Sequence, residues 1–258
     1  MRNLLWTVLA LVALLPTSAL AQRWDIQALT DTSVNMGRAR TMWSSVLQEP
    51  RQLLISLPPN YERSGKSYPV VYLLDAEMQF AHAAGVLQFL GPFNERIPEM
   101  ILIGVVNTDR GRDFVPAARN PAFRNDPMWN PSYERSNSDA FLKFFADDLI
   151  PWVEARYRAA PYRVLVGHSF GGIFSTQALI KRPELFQAHI AISPSLWYDG
   201  EALVAQTEAG IRAQSAPPAL FVSWADNEEN IRVSTEKLVK ALTRKPPPGL
   251  RWTHRYYP

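Results

Sequence analysis

The six residues from Gly167 to Gly172 constrain this chain more than any other part of the sequence. They read Gly-His-Ser-Phe-Gly-Gly, a G-x-S-x-G pattern between residues 163–166, typical of a short buried strand, and residues 173–180, typical of a helix. A strand that turns directly into a helix exposes a serine hydroxyl at the turn, and glycines two before and two after that serine avoid Cβ clashes. The pattern predicts a nucleophile elbow with Ser169 as nucleophile. A glycine-rich turn with a buried serine is the alternative.

The composition indicates one α/β domain, preceded by a targeting segment. The hydrophobic content of 47% supplies a sizeable core, and a net charge of +3 is too mild to indicate a nucleic-acid partner. Residues 1–21 read as a signal peptide, with a basic Arg2, an apolar run at 4–15 and an Ala-Leu-Ala cleavage site at 19–21. We therefore expect an exported periplasmic or secreted protein whose α/β domain spans 22–258. The apolar run is short for a membrane span, so no stable membrane insertion is expected.

Strand and helix patterns alternate along the rest of the chain. Strands are predicted at 51–57, 68–74, 100–106, 163–166, 188–192, 219–224 and 250–257, and helices at 80–90, 138–157, 173–180 and 231–242. This alternation predicts a mostly parallel sheet with helices on both faces. The long polar connection at 107–138 is rich in arginine and aromatic residues, which favours a substrate-binding loop with Arg110 and Arg112 as contacts.

A serine nucleophile needs a base, and the base needs an orienting acid. In α/β-hydrolases the chain order is serine, acid, histidine. The acids Asp226, Glu228 and Glu229 follow the predicted strand at 219–224, and their adjacency leaves the choice open. His254 is the histidine that follows them, but it lies in a segment that alternates as a strand does. An ordinary strand position is therefore the favoured interpretation of His254.

The oxyanion hole is expected to use two backbone N–H groups. One belongs to Phe170, the residue after the nucleophile, and the other to Ala76 or Glu77, after the strand predicted at 68–74. Trp197, in the segment Ser-Pro-Ser-Leu-Trp at 193–197, is predicted to line the substrate pocket.

Taken together, these segments resemble the esterase D-like "putative esterase" family of α/β-hydrolases, which includes siderophore esterases and S-formylglutathione hydrolases. The matching segments are 68–75, 107–113, 141–157, 167–172, 193–197 and 255–258. The resemblance implies the α/β-hydrolase fold and cleavage of a carboxylic ester, such as a siderophore ester, through an acyl-enzyme on Ser169. Its Gly-x-x-Glu or Gly-x-x-Asp spacing favours Glu228 as the acid over Asp226. Some siderophore esterases use a serine–histidine dyad instead.

The resemblance also places the catalytic histidine a few residues after Tyr-Tyr-Pro, which here occupies 256–258, and then a closing helix. We therefore expect a chain truncated before its last loop and helix, or His254 as a substitute base, or a non-catalytic binding protein. Acyl transfer to an alcohol or sugar is a further alternative. We expect a small-molecule ester as ligand, with no cofactor, metal or nucleic acid, and the oligomeric state stays open.

Overall fold

A single sheet of eight strands dominates the computed structural model, which describes residues 35–125 and 135–258. The predicted signal peptide at 1–21 lies outside the described residues. Residues 36–258 form one compact unit. Within the described ranges, no helix has the length and apolar character needed to cross a membrane.

The strands and helices alternate along the chain as the sequence predicts. The strands are β1 (Arg38–Ser44), β2 (Glu49–Ser56), β3 (Tyr68–Leu73), β4 (Ile101–Val105), β5 (Ala159–His168), β6 (Ala188–Ile192), β7 (Ala219–Ala225) and β8 (Trp252–Tyr257). The helices are α1 (Tyr61–Ser64), α2 (Ala76–Gln88), α3 (Arg110–Phe114), α4 (Pro121–Arg124), α5 (Ser138–Phe144), α6 (Ile150–Arg156), α7 (Phe170–Lys181), α8 (Ala202–Arg212) and α9 (Glu229–Arg244). Two π-helical segments, Phe89–Phe93 and Phe145–Leu149, follow α2 and α5.

The sheet is mostly parallel, as predicted. Its strand order is β1-β2-β4-β3-β5-β6-β7-β8. The pairs β1–β2 and β2–β4 are antiparallel, and every other pair is parallel. All strands from β3 onwards therefore end at the same edge of the sheet, where parallel α/β sheets bind their ligands.

Helices cover both faces of the sheet, and β3 shows how the two faces are divided. Val70 and Tyr72 pack into a core that includes the phenylalanines of α5, whereas Val71 and Leu73 pack into a core with α2. Strand residues alternate between faces, so a run of apolar residues is the pattern of a strand buried on both sides. The mostly parallel sheet with helices on both faces, predicted from the alternating patterns, is confirmed, and so is the α/β-hydrolase fold that the resemblance implies.

The long helix predicted at 138–157 is interrupted. The π-helical segment Phe145–Leu149 separates α5 from α6, and Pro151 lies at the start of α6. Proline lacks an N–H and crowds the carbonyl four residues earlier, so a wider turn before it relieves the clash. The sequence patterns also missed β1, α1 and α8, and the two short helices α3 and α4 within the long connection.

Hydrogen bonds hold the long connection after β4 at two places. The N–H of Asn137 donates to the carbonyl of Arg112 at 2.7 Å. In the middle of the connection, the carboxylate of Asp199 accepts hydrogen bonds from the N–H groups of Arg119 and Asn120 at 3.0 and 2.6 Å. The connection is therefore anchored to the domain on either side of residues 121–136.

Candidate active site

Ser169 occupies the turn between β5 and α7 in a strained backbone conformation. Its φ is 57° and its ψ is −114°, a region that costs a non-glycine residue about 1–3 kcal/mol. Two hydrogen bonds hold this conformation: the Ser169 N–H donates to the carbonyl of Ile192 at 3.0 Å, and its carbonyl accepts from the N–H of Ser195 at 3.2 Å. This geometry matches the elbow predicted from the sequence.

The glycines of the turn differ in how much they are needed. A Cβ on Gly167 would lie 2.1 Å from the carbonyl oxygen of Gly171, and a Cβ on Gly172 would lie 2.8 Å from the Cα of Pro194. The prediction that Gly171 is required to avoid a clash is wrong, because a Cβ there would meet nothing closer than 3.4 Å. Gly172 is the glycine that lets α7 lie close to the segment after β6.

A second serine lies beside the nucleophile. The Oγ atoms of Ser169 and Ser195 are 3.2 Å apart, and Ser195 is buried. The rings of Phe170 and Trp197 lie 6.4 Å apart, so Trp197 packs next to the residue that follows the nucleophile. The segment after β6 therefore forms one wall beside Ser169. Contact of Trp197 with substrate stays a prediction.

The two candidate acids have different surroundings. Glu228 Oε2 accepts from the Oγ of Ser193 at 2.6 Å and from the N–H of Ala225 at 3.2 Å, which ties this carboxylate to the ends of β6 and β7. The Asp226 side chain is 66% exposed, and its nearest cation is Arg232 at 3.9 Å. A fixed carboxylate orients an imidazole better than a solvated one, so the geometry favours Glu228.

His254 lies within β8, where it is exposed and stacks beside two tryptophan rings. Its ring stacks on Trp224 at 5.7 Å and 17° and on Trp252 at 5.4 Å and 24°. In the parts of the chain that the structure describes, His254 has no hydrogen bond with Ser169 or Glu228. This is the strand position that the sequence favoured, and the catalytic role of His254 stays a prediction.

The predicted oxyanion-hole donors lie at two adjoining helix starts. Ala76 and Glu77 begin α2, and Phe170 begins α7. The first N–H groups of a helix have no acceptor within the helix, which suits them to bind an anion. A Cβ on Gly171 would lie 3.4 Å from Asp75 Oδ2, so the residue before α2 reaches the first turn of α7.

The two arginines predicted to contact substrate both have carboxylate partners inside the protein. Arg110 donates through Nε and Nη2 to Asp75 at 2.7 and 3.1 Å, and through Nη2 to the carbonyl of His168 at 3.2 Å. Arg112 donates to both carboxylate oxygens of Glu49 at 2.9 and 2.5 Å. This pairing lowers the pKa of Glu49 from its usual value. Substrate contact by either arginine stays a prediction.

Sequence reasoning did not single out Ser193, Ser195 or Asp75 as site residues. Each directly follows a strand or lies close behind it, at the edge of the sheet that carries Ser169. That position was the available signal, since side chains after parallel strands converge there. Their hydrogen-bond partners lie in distant segments of the chain, so the sequence did not indicate them.

Comparisons with known proteins show that this chain is similar to esterases. Residues 44–236 match the family described as "Putative esterase". The siderophore enterobactin esterase of Emericella nidulans is 29% identical over 238 residues, which cover 82% of this chain and 78% of that protein. The ferri-bacillibactin esterase BesA of Bacillus subtilis is 28% identical over 151 residues, or 55% of this chain and 52% of that protein.

A solved structure supports the same conclusion. The crystal structure of an IroE-like serine hydrolase from Shewanella oneidensis superposes with a TM-score of 0.77 at 33% identity and covers 86% of this chain and 73% of that chain. The family match extends over most of the sequence and includes Ser169, Ser193 and Glu228. The chain belongs to the esterase family described as "Putative esterase".

Proposed function

We propose that this protein is a serine hydrolase that cleaves a carboxylic ester through an acyl-enzyme on Ser169. The strained Ser169 backbone at the end of β5 carries the proposal, because a non-glycine residue keeps such a conformation only where the surrounding structure enforces it. Membership in the esterase family and similarity to named esterases support the same activity.

The reaction would proceed in two steps around this serine. An imidazole base removes the Ser169 proton as Oγ attacks the ester carbonyl. His254 follows the candidate acids in chain order, but within β8, among the residues described, it has no hydrogen bond with Ser169 or Glu228, so the proposed reaction does not depend on His254 as the base. The N–H groups of Phe170 and of Ala76 or Glu77 would stabilise the oxyanion, and Glu228 would orient the base. The alcohol leaves with the proton, and a water molecule then hydrolyses the acyl-enzyme.

A siderophore-type ester is the proposed substrate class. The Emericella and Bacillus relatives are named as esterases of enterobactin and ferri-bacillibactin, which supports the class but selects no single compound. The signal-peptide pattern at 1–21 supports a periplasmic or secreted location.

Labelling with a fluorophosphonate probe tests the nucleophile directly. The adduct is expected on Ser169 by mass spectrometry and should be absent from Ser169→Ala. Ser195→Ala is a close control, because it removes a hydroxyl only 3.2 Å away yet should leave the adduct on Ser169. A folded wild-type protein that is not labelled would instead favour a non-catalytic binding protein.

Product analysis tests the reaction type. Incubation with an acyclic catecholate ester should consume one water per ester and release the free acid and the alcohol in equal amounts. If an added alcohol or sugar acceptor becomes the acylated product at the expense of the free acid, the protein is an acyltransferase instead.

A further inference from the structure

We propose that Arg110 is a positioning residue that holds the oxyanion-hole N–H groups in register with the nucleophile. The inference rests on the proposed function, and it assigns Arg110 a role different from the substrate contact predicted from sequence. The argument depends on which two segments the guanidinium joins.

Arg110 bridges the two halves of the proposed oxyanion hole. Its Nε and Nη2 bind the two carboxylate oxygens of Asp75, the residue immediately before α2. The same Nη2 donates to the carbonyl of His168, the residue immediately before Ser169. One planar cation thus joins the segment that leads into Ala76 to the segment that leads into the nucleophile.

The guanidinium also lies over the rings of two phenylalanines. Its Cζ is 5.3 Å from the ring centroid of Phe170 and 5.5 Å from that of Phe114. Phe170 supplies the other proposed oxyanion donor, so Arg110 contacts residues on both sides of the hole. Cation–π contacts of this kind add to the hydrogen bonds in fixing the guanidinium plane.

Asp75, the carboxylate that Arg110 binds, is buried and has a strained backbone. It is 1% exposed and adopts a left-handed backbone conformation with φ of 55°, which is uncommon for a residue other than glycine. Its carbonyl accepts from the N–H groups of Met78 and Gln79 at 3.0 Å, so its backbone fixes the first turn of α2. Asn107 adds a 2.7 Å hydrogen bond to the same carboxylate, but Arg110 provides the charge that balances it.

Lysine could not make this set of contacts. The arginine fork presents several N–H donors in one plane and binds a carboxylate through two of them, whereas an ammonium is a single point charge. The arrangement therefore predicts that geometry at position 110 matters, in addition to charge.

The positioning role and the substrate-contact role predict different kinetics. Loss of a positioning residue misplaces donors that act on the transition state, and so lowers kcat with little change in KM. Loss of a substrate contact that acts equally in the ground state raises KM and leaves kcat unchanged. We expect Arg110→Ala to lower kcat by about 10²-fold, comparable to removal of one oxyanion donor, with KM within about twofold.

The experiment compares Arg110→Ala and Arg110→Lys with Arg158→Ala on the full chain. Arg158 is the matched control: its guanidinium lies over the Tyr61 ring at 3.9 Å and donates to the carbonyl of Lys66, but it precedes β5, whereas Ser169 follows that strand. Arg158→Ala should keep wild-type kcat. Added guanidinium ion should restore part of the activity of Arg110→Ala and leave Arg158→Ala unchanged.

Hydrogen exchange provides a readout that does not depend on turnover. The amides at the start of α2 should exchange faster in Arg110→Ala than in the wild type, and those near Lys66 should not. Arg110→Lys retains the charge beside Asp75 and should fold even if the alanine variant does not, with kcat still lowered by about tenfold.

Two results would overturn the inference while the proposed function stands. One is a wild type labelled at Ser169 whose Arg110→Lys and Arg110→Ala variants keep kcat and change only KM. The other is unchanged exchange at the start of α2. A wild type with no labelling at Ser169 would remove the proposed function first, and the positioning role with it.

Discussion

His189 should make the stability of this protein fall steeply as the pH drops below neutral. Its ring is buried between β6 and α7, where Nδ1 lies 3.2 Å from the Oγ of Ser175 and Phe186 packs edge-on at 5.6 Å. Burial lowers the pKa of His189 to about 3, and a hydrogen bond with the backbone of Ser175 opposes this with a smaller effect. Within the described ranges, its Nε2 has no hydrogen-bond partner to stabilise a charged ring.

The sign follows from the unfolded chain, in which the histidine has a pKa near 6.5. Below that pH the unfolded state binds a proton that the folded state excludes until about pH 3, so stability is complete above about pH 6.5 and falls across that window. Each pH unit within the window costs about 1.4 kcal/mol. Between about pH 7 and about pH 5, His189 alone should remove about 2 kcal/mol of unfolding free energy.

Urea unfolding of three proteins at the two pH values measures this contribution. His189→Gln should lose about 2 kcal/mol less than the wild type on acidification, because glutamine does not titrate there. His82→Gln replaces an exposed histidine and should lose as much as the wild type. Equal losses in the wild type and His189→Gln would refute the reasoning.

Three further predictions concern the elbow, the acid and the core. Gly167→Ala places its Cβ 2.1 Å from a carbonyl oxygen and should lower the unfolding free energy by about 3 kcal/mol or more, whereas Gly171→Ala should cost less than about 1 kcal/mol in the same urea experiment. Glu228→Gln should lower kcat for ester hydrolysis by about 10²-fold or more, and a larger loss in Asp226→Asn would reverse the assignment of the acid. The buried hydroxyl of Tyr72 has no hydrogen-bond partner among the residues described, so Tyr72→Phe should change the unfolding free energy by no more than about 1 kcal/mol; a loss above about 2 kcal/mol would reveal an undetected partner.

The sequence predicts the central sheet well because its strands are buried on both faces. An unbroken apolar run such as the one in β3 is hard to accommodate in any other way in a domain of this size. The edge strand β1 was missed because its exposed positions include Arg38 and Arg40, and a polar edge strand shows little apolar pattern.

Only those parts of the site whose residues are neighbours in the chain could be predicted from the sequence. Ser169 could be identified because strand, turn and helix are contiguous. The choice between Glu228 and Asp226 depends on a hydrogen bond from Ser193, and the partners of Arg110 lie in two other segments. Such pairings between distant segments have no signature in one sequence, so only the folded chain reveals them.

The anchoring of the connection after β4 has a consequence for how such proteins can diversify. The bond between Asn137 and Arg112 and the two bonds to Asp199 fix the chain on either side of residues 121–136. Doubling the length of a closed loop costs only about 0.6 kcal/mol. Insertions and deletions between these anchors should therefore be tolerated without displacing the nucleophile, so the length of this segment can vary while the elbow is kept.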